Sequence, residues 1–249
     1  MSETPFSTDR RAMMGLTAFG LAAAALPFGA NAALANEPAG GAPSKTSLSP
    51  DQALARLQAG NNKFLGNNRP LADLSSARRM ALAKGQAPYA ALVGCADSRV
   101  SPEHLFGEGL GELFVVRTAG NYVDEAGLGS LAYSVAALGV PLIVVVGHER
   151  CGAVDAATKL VTGNKQLPPV LTRMVEPILP AVVDAQAHYA KNGGDLLDHA
   201  IHFNVSHVVK QLRESRDPLF SDPLSAGKLK VVGAYYDLDT GQVEFFDRG

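Results

Sequence analysis

Two cysteines, a histidine and an aspartate–arginine pair carry the strongest chemistry in this chain. They fall in two short segments, Cys95-Ala96-Asp97-Ser98-Arg99 and His148-Glu149-Arg150-Cys151-Gly152. Thiolate, imidazole and carboxylate form the ligand set that zinc prefers. His148 and Cys151 are three residues apart, so one turn can aim both at one ion. Cys95 and Asp97 are two apart, so an extended or turning segment can do the same. Two arrangements follow. Either Cys95, Asp97, His148 and Cys151 close a tetrahedron, or three ligands hold the metal and water takes the fourth place, as in a catalytic zinc site. Arg99 bears on the choice. Its guanidinium can grip Asp97 through two parallel hydrogen bonds. Asp97 is then held off the metal and left to accept a hydrogen bond from hydroxide on the ion. Zinc brings the pKa of its water down toward ~7. Two thiolates put more negative charge on the ion than three imidazoles, so activity is expected to favour alkaline conditions.

These segments need elements to bring them together. Tyr89–Gly94, Leu113–Val116 and Leu142–Val146 are short, unbroken apolar runs. Such runs suit strands buried on both faces of a parallel sheet. A polar cluster follows each: Cys95–Arg99, then Arg117-Thr118-Ala119-Gly120-Asn121, then Gly147–Gly152. In an open parallel sheet the carboxyl ends of the strands form the binding crevice, so neighbouring strands would point all three clusters at one edge. A helix is expected over Leu128–Leu138. Ser49-Pro50-Asp51-Gln52 is a capping-box start with Pro at the first helical position; Leu54, Leu57 and Phe64 then mark its apolar face. A second helix is expected over Leu74–Ala83, and two long ones over Leu171–Tyr189 and Leu196–Arg213. Lys230–Asp237 and Gln242–Phe246 flank Asp239-Thr240-Gly241 and read as a hairpin at the sheet edge. The class is α/β, with a mostly parallel sheet of four to five strands flanked by helices and an N-terminal helical arm.

Together the motifs resemble the β-class carbonic anhydrases. C-x-D-x-R and H-x-x-C at this separation, with R-x-A-G-N between them, carry the resemblance. It covers about residues 49–249 and is densest from Tyr89 to Ala153. It implies Cys95, His148 and Cys151 as zinc ligands and Asp97–Arg99 as a catalytic dyad. It implies reversible hydration of carbon dioxide to bicarbonate and a proton, and a homodimer or homotetramer. Some members carry an inhibitory bicarbonate site built from a Trp, an Arg and a Tyr. Here Leu92 stands in the Trp position and the chain has no Trp; Arg117 and Tyr133 are candidates for the other two places, and inhibition of that form is not expected. A related type hydrolyses carbon disulfide or carbonyl sulfide at the same metal site, and the motifs do not separate these substrates. A periplasmic zinc-binding protein without catalysis is the remaining alternative.

Simpler readings compete. Cys95 and Cys151 in an exported protein can be a plain disulfide, but that leaves His148, Asp97 and Arg99 unexplained. Asp97–Arg99 can be a structural ion pair. His199 and His202, three apart, lack a carboxylate or thiol of suitable spacing and read as polar or interface positions rather than a second metal site.

The N-terminal 35 residues are a different material. A polar start ending in Arg10-Arg11 leads into the uncharged Ala12–Leu26 and the small-x-small sites Ala30-Asn31-Ala32 and Ala33-Leu34-Ala35. This reads as a signal peptide of the twin-arginine type, with periplasmic delivery and no stable membrane anchor after cleavage. Residues 36–48, small and Pro/Gly-rich, read as a linker, and 49–249 as the zinc domain. The 249 residues carry 22 Lys+Arg against 24 Asp+Glu. That balance argues against a nucleic-acid partner, which calls for a basic excess. Apolar residues at 47% exclude a disordered chain.

Overall fold

The computed structural model describes residues 45–66, 72–164 and 166–249. The segment read as a signal peptide (residues 1–35) and residues 36–44 of the stretch read as a linker lie outside them. Leu48, at the end of the stretch read as a linker, packs against the core.

Helix α1 (Pro50–Leu65) opens with the expected box: Ser49 Oγ accepts the Gln52 N–H at 3.2 Å, and Gln52 Oε1 accepts the Ser49 N–H at 2.8 Å. Leu54 and Leu57 are buried beneath it. After α2 (Ser76–Leu82) come β1 (Ala90–Cys95), the short α3 (Pro102–Phe106), β2 (Leu113–Thr118), α4 (Glu125–Ala136) and β3 (Leu142–His148). Asp124 caps α4 by accepting the Gly127 N–H at 2.8 Å. Helix α5 (Gly152–Val161) follows, then α6 (Pro169–Val175), a single 3₁₀ turn (Glu176–Ile178), α7 (Leu179–Asn192), α8 (Leu196–Arg213) and α9 (Pro218–Ser225). Strands β4 (Lys230–Tyr236) and β5 (Val243–Asp247) close the chain.

The five strands form one sheet in the order β2-β1-β3-β4-β5. The first four are parallel, and β5 returns antiparallel as the edge hairpin. Alternate residues of β1 and β3 feed two cores. Leu92, Val144 and Val146 pack with Leu57 and Phe106 on one face. Val93, Ile143 and Val145 pack with residues of α4 and α8 on the other. No described helix is long and apolar enough to cross a membrane.

Two sequence expectations change. The helix expected over Leu171–Tyr189 is broken into α6, the 3₁₀ turn and α7. Pro177 and Pro180 supply no N–H for an α-helical ladder there, so the chain turns and restarts with Pro180 in the first turn of α7. The run Leu113–Val116 is a strand, but β2 lies at the sheet edge and is only half-buried. Apolar periodicity does not distinguish an inner strand from an apolar edge.

Candidate metal centre

β1 is the middle member of the three adjacent strands β2, β1 and β3, so their carboxyl ends converge. Cys95 ends β1 and pairs with Thr118, the last residue of β2. His148 ends β3. Three residues on, Cys151 is the N-cap of α5. The ligand atoms of Cys95, His148 and Cys151 all lie within 4.8 Å of one another, and all three residues are buried. No other such group of three occurs among the described residues.

The two sulfurs are 3.9 Å apart and both cysteines are free, so the disulfide reading does not hold in this structure. Hydrogen bonding from Cys151 is the largest influence drawing the Cys95 thiol down to about 4, and the N–H groups of Gly120 and Asp97 act in the same direction. The same contact pushes the Cys151 thiol up. His148 Nδ1 lies 2.9 Å from the Glu149 carbonyl. A carbonyl only accepts, so Nδ1 carries a hydrogen, and in the neutral ring Nε2 is the nitrogen with the lone pair. That Nε2 is buried with no protein hydrogen-bond partner. A buried acceptor without a partner is costly, and a metal ion beside two thiols would satisfy it. The donor set and this orphaned nitrogen therefore fit zinc.

Asp97 stands beside the three ligands. Its Oδ1 accepts from Arg99 Nε at 2.9 Å and from the Arg99 backbone N–H at 2.9 Å, and its Oδ2 accepts from Arg99 Nη2 at 2.7 Å. This fork holds the carboxyl well below the usual range. Oδ2 is also 3.9 Å from His148 Nε2, so the carboxylate faces the cluster while Arg99 holds it. Of the two arrangements the sequence left open, the structure displays the one with Asp97 on Arg99.

Several supports were not legible as such. Arg117 donates to the carbonyls of Cys95 (2.9 Å), Asp97 (2.8 Å) and Val100 (2.8 Å). One guanidinium thus shapes the whole loop between Cys95 and Val100. Arg117 is engaged there, while Tyr133 sits half-exposed beside Phe114. Arg150 takes the left-handed φ of 52° and grips Asp239 with both nitrogens, at 2.6 and 3.1 Å. Asn121, also left-handed at φ 48°, is buried in the turn after β2. The histidines of α8 serve elsewhere: His199 Nε2 lies 2.9 Å from the Gly193 carbonyl, and His202 stacks on Tyr235.

Comparison with known proteins bears on this site directly. Residues 90–243 match the family model described as "Carbonic anhydrase". The chain is 36% identical over 198 residues to carbonic anhydrase 2 of Mycobacterium tuberculosis, covering 80% of this chain and 93% of that one. It is 37% identical over 195 residues to a carbonic anhydrase of Mycolicibacterium smegmatis, covering 78% and 92%. Among solved structures, the Coccomyxa β-carbonic anhydrase in complex with acetazolamide superposes with a TM-score of 0.58 at 30% identity, covering 78% of this chain and 86% of that one. The chain belongs to the β-class carbonic anhydrase family. The matched span contains all five candidate residues, Cys95, Asp97, Arg99, His148 and Cys151.

Proposed function

We propose that this member of the β-class carbonic anhydrases holds zinc on Cys95, His148 and Cys151 and catalyses the reversible hydration of carbon dioxide to bicarbonate and a proton. The observation that carries this reading is the buried group of three ligand atoms within 4.8 Å, with a fork-held carboxylate next to it. Zinc in this place supplies the Lewis acidity that makes water a nucleophile near neutral pH. The chain supplies the rest. Arg99 keeps Asp97 ionised and therefore an acceptor only. With Oδ1 occupied twice, Oδ2 is the oxygen facing the cluster; it accepts a hydrogen bond from the attacking water and so turns a lone pair of that oxygen toward carbon dioxide, and the proton released as bicarbonate forms passes to buffer. Val154, Ile178, Val182 and Ile201 pack around the two cysteines. This apolar surround suits a nonpolar gas and strengthens the electrostatics inside it.

The test joins metal analysis to a stopped-flow hydration assay near pH 7 and 8.5. The wild-type chain is expected to hold one zinc and to hydrate carbon dioxide faster at the higher pH. Cys151→Ser and His148→Ala are expected to lose zinc and activity together. Full zinc and normal turnover in either variant would refute the ligand assignment. A zinc-loaded wild type silent at both pH values would leave a binding protein. A parallel assay with carbonyl sulfide and carbon disulfide separates the sulfur-substrate reading.

Two further parts of the reading rest on other supports. Export to the periplasm rests on Arg10-Arg11, the uncharged Ala12–Leu26 and the small-x-small exits. Self-association as a homodimer or homotetramer rests on β2, an apolar, half-buried strand at the edge of the sheet; sedimentation of the mature chain as a monomer would remove it.

A further inference from the structure

Asn204 lies in the middle of α8, where asparagine is a poor helix former. It is 1% exposed. A buried amide in a helix needs partners from elsewhere in the fold, and this one reaches 84 residues back along the chain: its Nδ2–H donates to the Gly120 carbonyl at 2.8 Å. Gly120 sits in the turn after β2, with φ +93°, a conformation that L side chains rarely adopt. A Cβ there would lie 2.5 Å from Ile178 Cδ1 and 3.2 Å from Ala153 Cβ.

The Gly120 N–H points to Cys95 Sγ at 3.3 Å. Its direction depends on dihedrals that glycine leaves soft. The next peptide plane removes that softness, because it is pinned at both ends. Its carbonyl is held by Asn204, and its N–H, that of Asn121, donates to the Thr118 carbonyl at 3.2 Å. With that plane and β2 both fixed, the Gly120 N–H stays aimed at the sulfur. Outer hydrogen bonds of this kind orient a ligand and draw charge from it. Less charge on the thiolate leaves the ion a stronger Lewis acid.

We propose that Asn204 is a positioning residue of the metal centre, acting through Gly120 to keep an N–H hydrogen bond on Cys95 Sγ. The proposal rests on the metal reading above. It is tested with cobalt(II) in place of zinc, in the wild-type chain and in Asn204→Leu and Asn204→Ala. The thiolate-to-cobalt charge-transfer band reports electron density on sulfur, which a change in global stability alone does not move. The variants are expected to bind one cobalt, to show the band at longer wavelength, and in the zinc form to lose about tenfold in kcat with KM nearly unchanged. A folded, loaded variant with an unmoved band overturns the proposal, even if its melting temperature has fallen. A wild-type protein with no sulfur-to-cobalt band overturns the metal reading itself. If neither variant folds, cadmium-113 in the wild-type chain decides: a scalar coupling across the hydrogen bond from the metal to the Gly120 amide proton is expected, and its absence overturns the proposal.

Discussion

Asp97 shows how little a residue type says until its partners are placed. A carboxylate two residues from a cysteine can close a zinc site or stand beside it, and Arg99 decides by taking both oxygens. Asp97→Asn removes the charge and keeps the shape. Zinc is expected to stay at one per chain while hydration falls by about a hundredfold or more, the scale on which a misplaced reacting group slows a reaction. Metal analysis beside stopped-flow kinetics checks both halves; an unchanged rate at full zinc would remove Asp97 from the reaction. Arg99→Lys keeps the positive charge but not the fork, and lysine cannot reproduce bidentate geometry; a rate between those of the wild type and Asp97→Asn is expected in the same assay. The five candidate residues that the fold brings together stood out in the sequence because thiolate, imidazole and a paired carboxylate have few substitutes in this chemistry. Arg117, Asn204 and Gly120 were not legible in their roles. They work by hydrogen bonds to or from backbone groups and sulfur, which many residues can make, and only the fold brings them within reach.

At the scale of elements, the site loops hang from a sheet whose strongest strand, Leu142–His148, announced itself as five consecutive apolar residues. The ends of the helices were less legible. Pro177 and Pro180 were visible, but their effect depended on the turn between α6 and α7. The half-exposure of β2 depended on strand order, which no local pattern carries. Asn61 on α1 shows what holds the arm to the sheet. Its Nδ2 donates to the Leu105 and Gly241 carbonyls at 3.3 and 3.0 Å, and its Oδ1 accepts the Val243 N–H at 2.9 Å. One buried amide thus ties α1 to α3 and to the β4–β5 turn. Asn61→Ala strands three backbone groups, each worth about 1–3 kcal/mol if left dry. Melting is expected to fall by roughly ten degrees or more, with zinc stoichiometry intact. Gly60→Ala should do the same for the opposite reason, since its new methyl would lie 2.0 Å from the Phe106 carbonyl oxygen. Calorimetry on the two variants decides, and unchanged midpoints would mean that the arm does not depend on this junction.

Over the whole molecule, the proposed ligands join places that are distant in sequence: the end of β1, the end of β3 and the cap of α5. An ion held there binds the folded chain and not the unfolded one, so it stabilises by mass action, by about 4 kcal/mol at a thousandfold excess over its dissociation constant. In a domain of this size that corresponds to roughly ten degrees of melting temperature. Thermal scans with and without a chelator are expected to differ on that scale, and coincident scans would count against a structural share for the metal. The same pair of sulfurs bears on the proposed route of export. Two free thiols 3.9 Å apart are at risk of joining in an oxidising compartment. A twin-arginine route carries folded protein, so zinc can be loaded in the reducing cytoplasm before the thiols meet oxidant. Replacing Arg10 and Arg11 together by lysine is therefore expected to trap the chain in the cytoplasm at full length and zinc-loaded, whereas the wild type should fractionate with the periplasm, shortened near Ala32 or Ala35. Fractionation with intact-mass measurement reads both outcomes. A wild-type chain that keeps its first 35 residues, or a lysine variant exported as before, would sever the export reading from the metal chemistry.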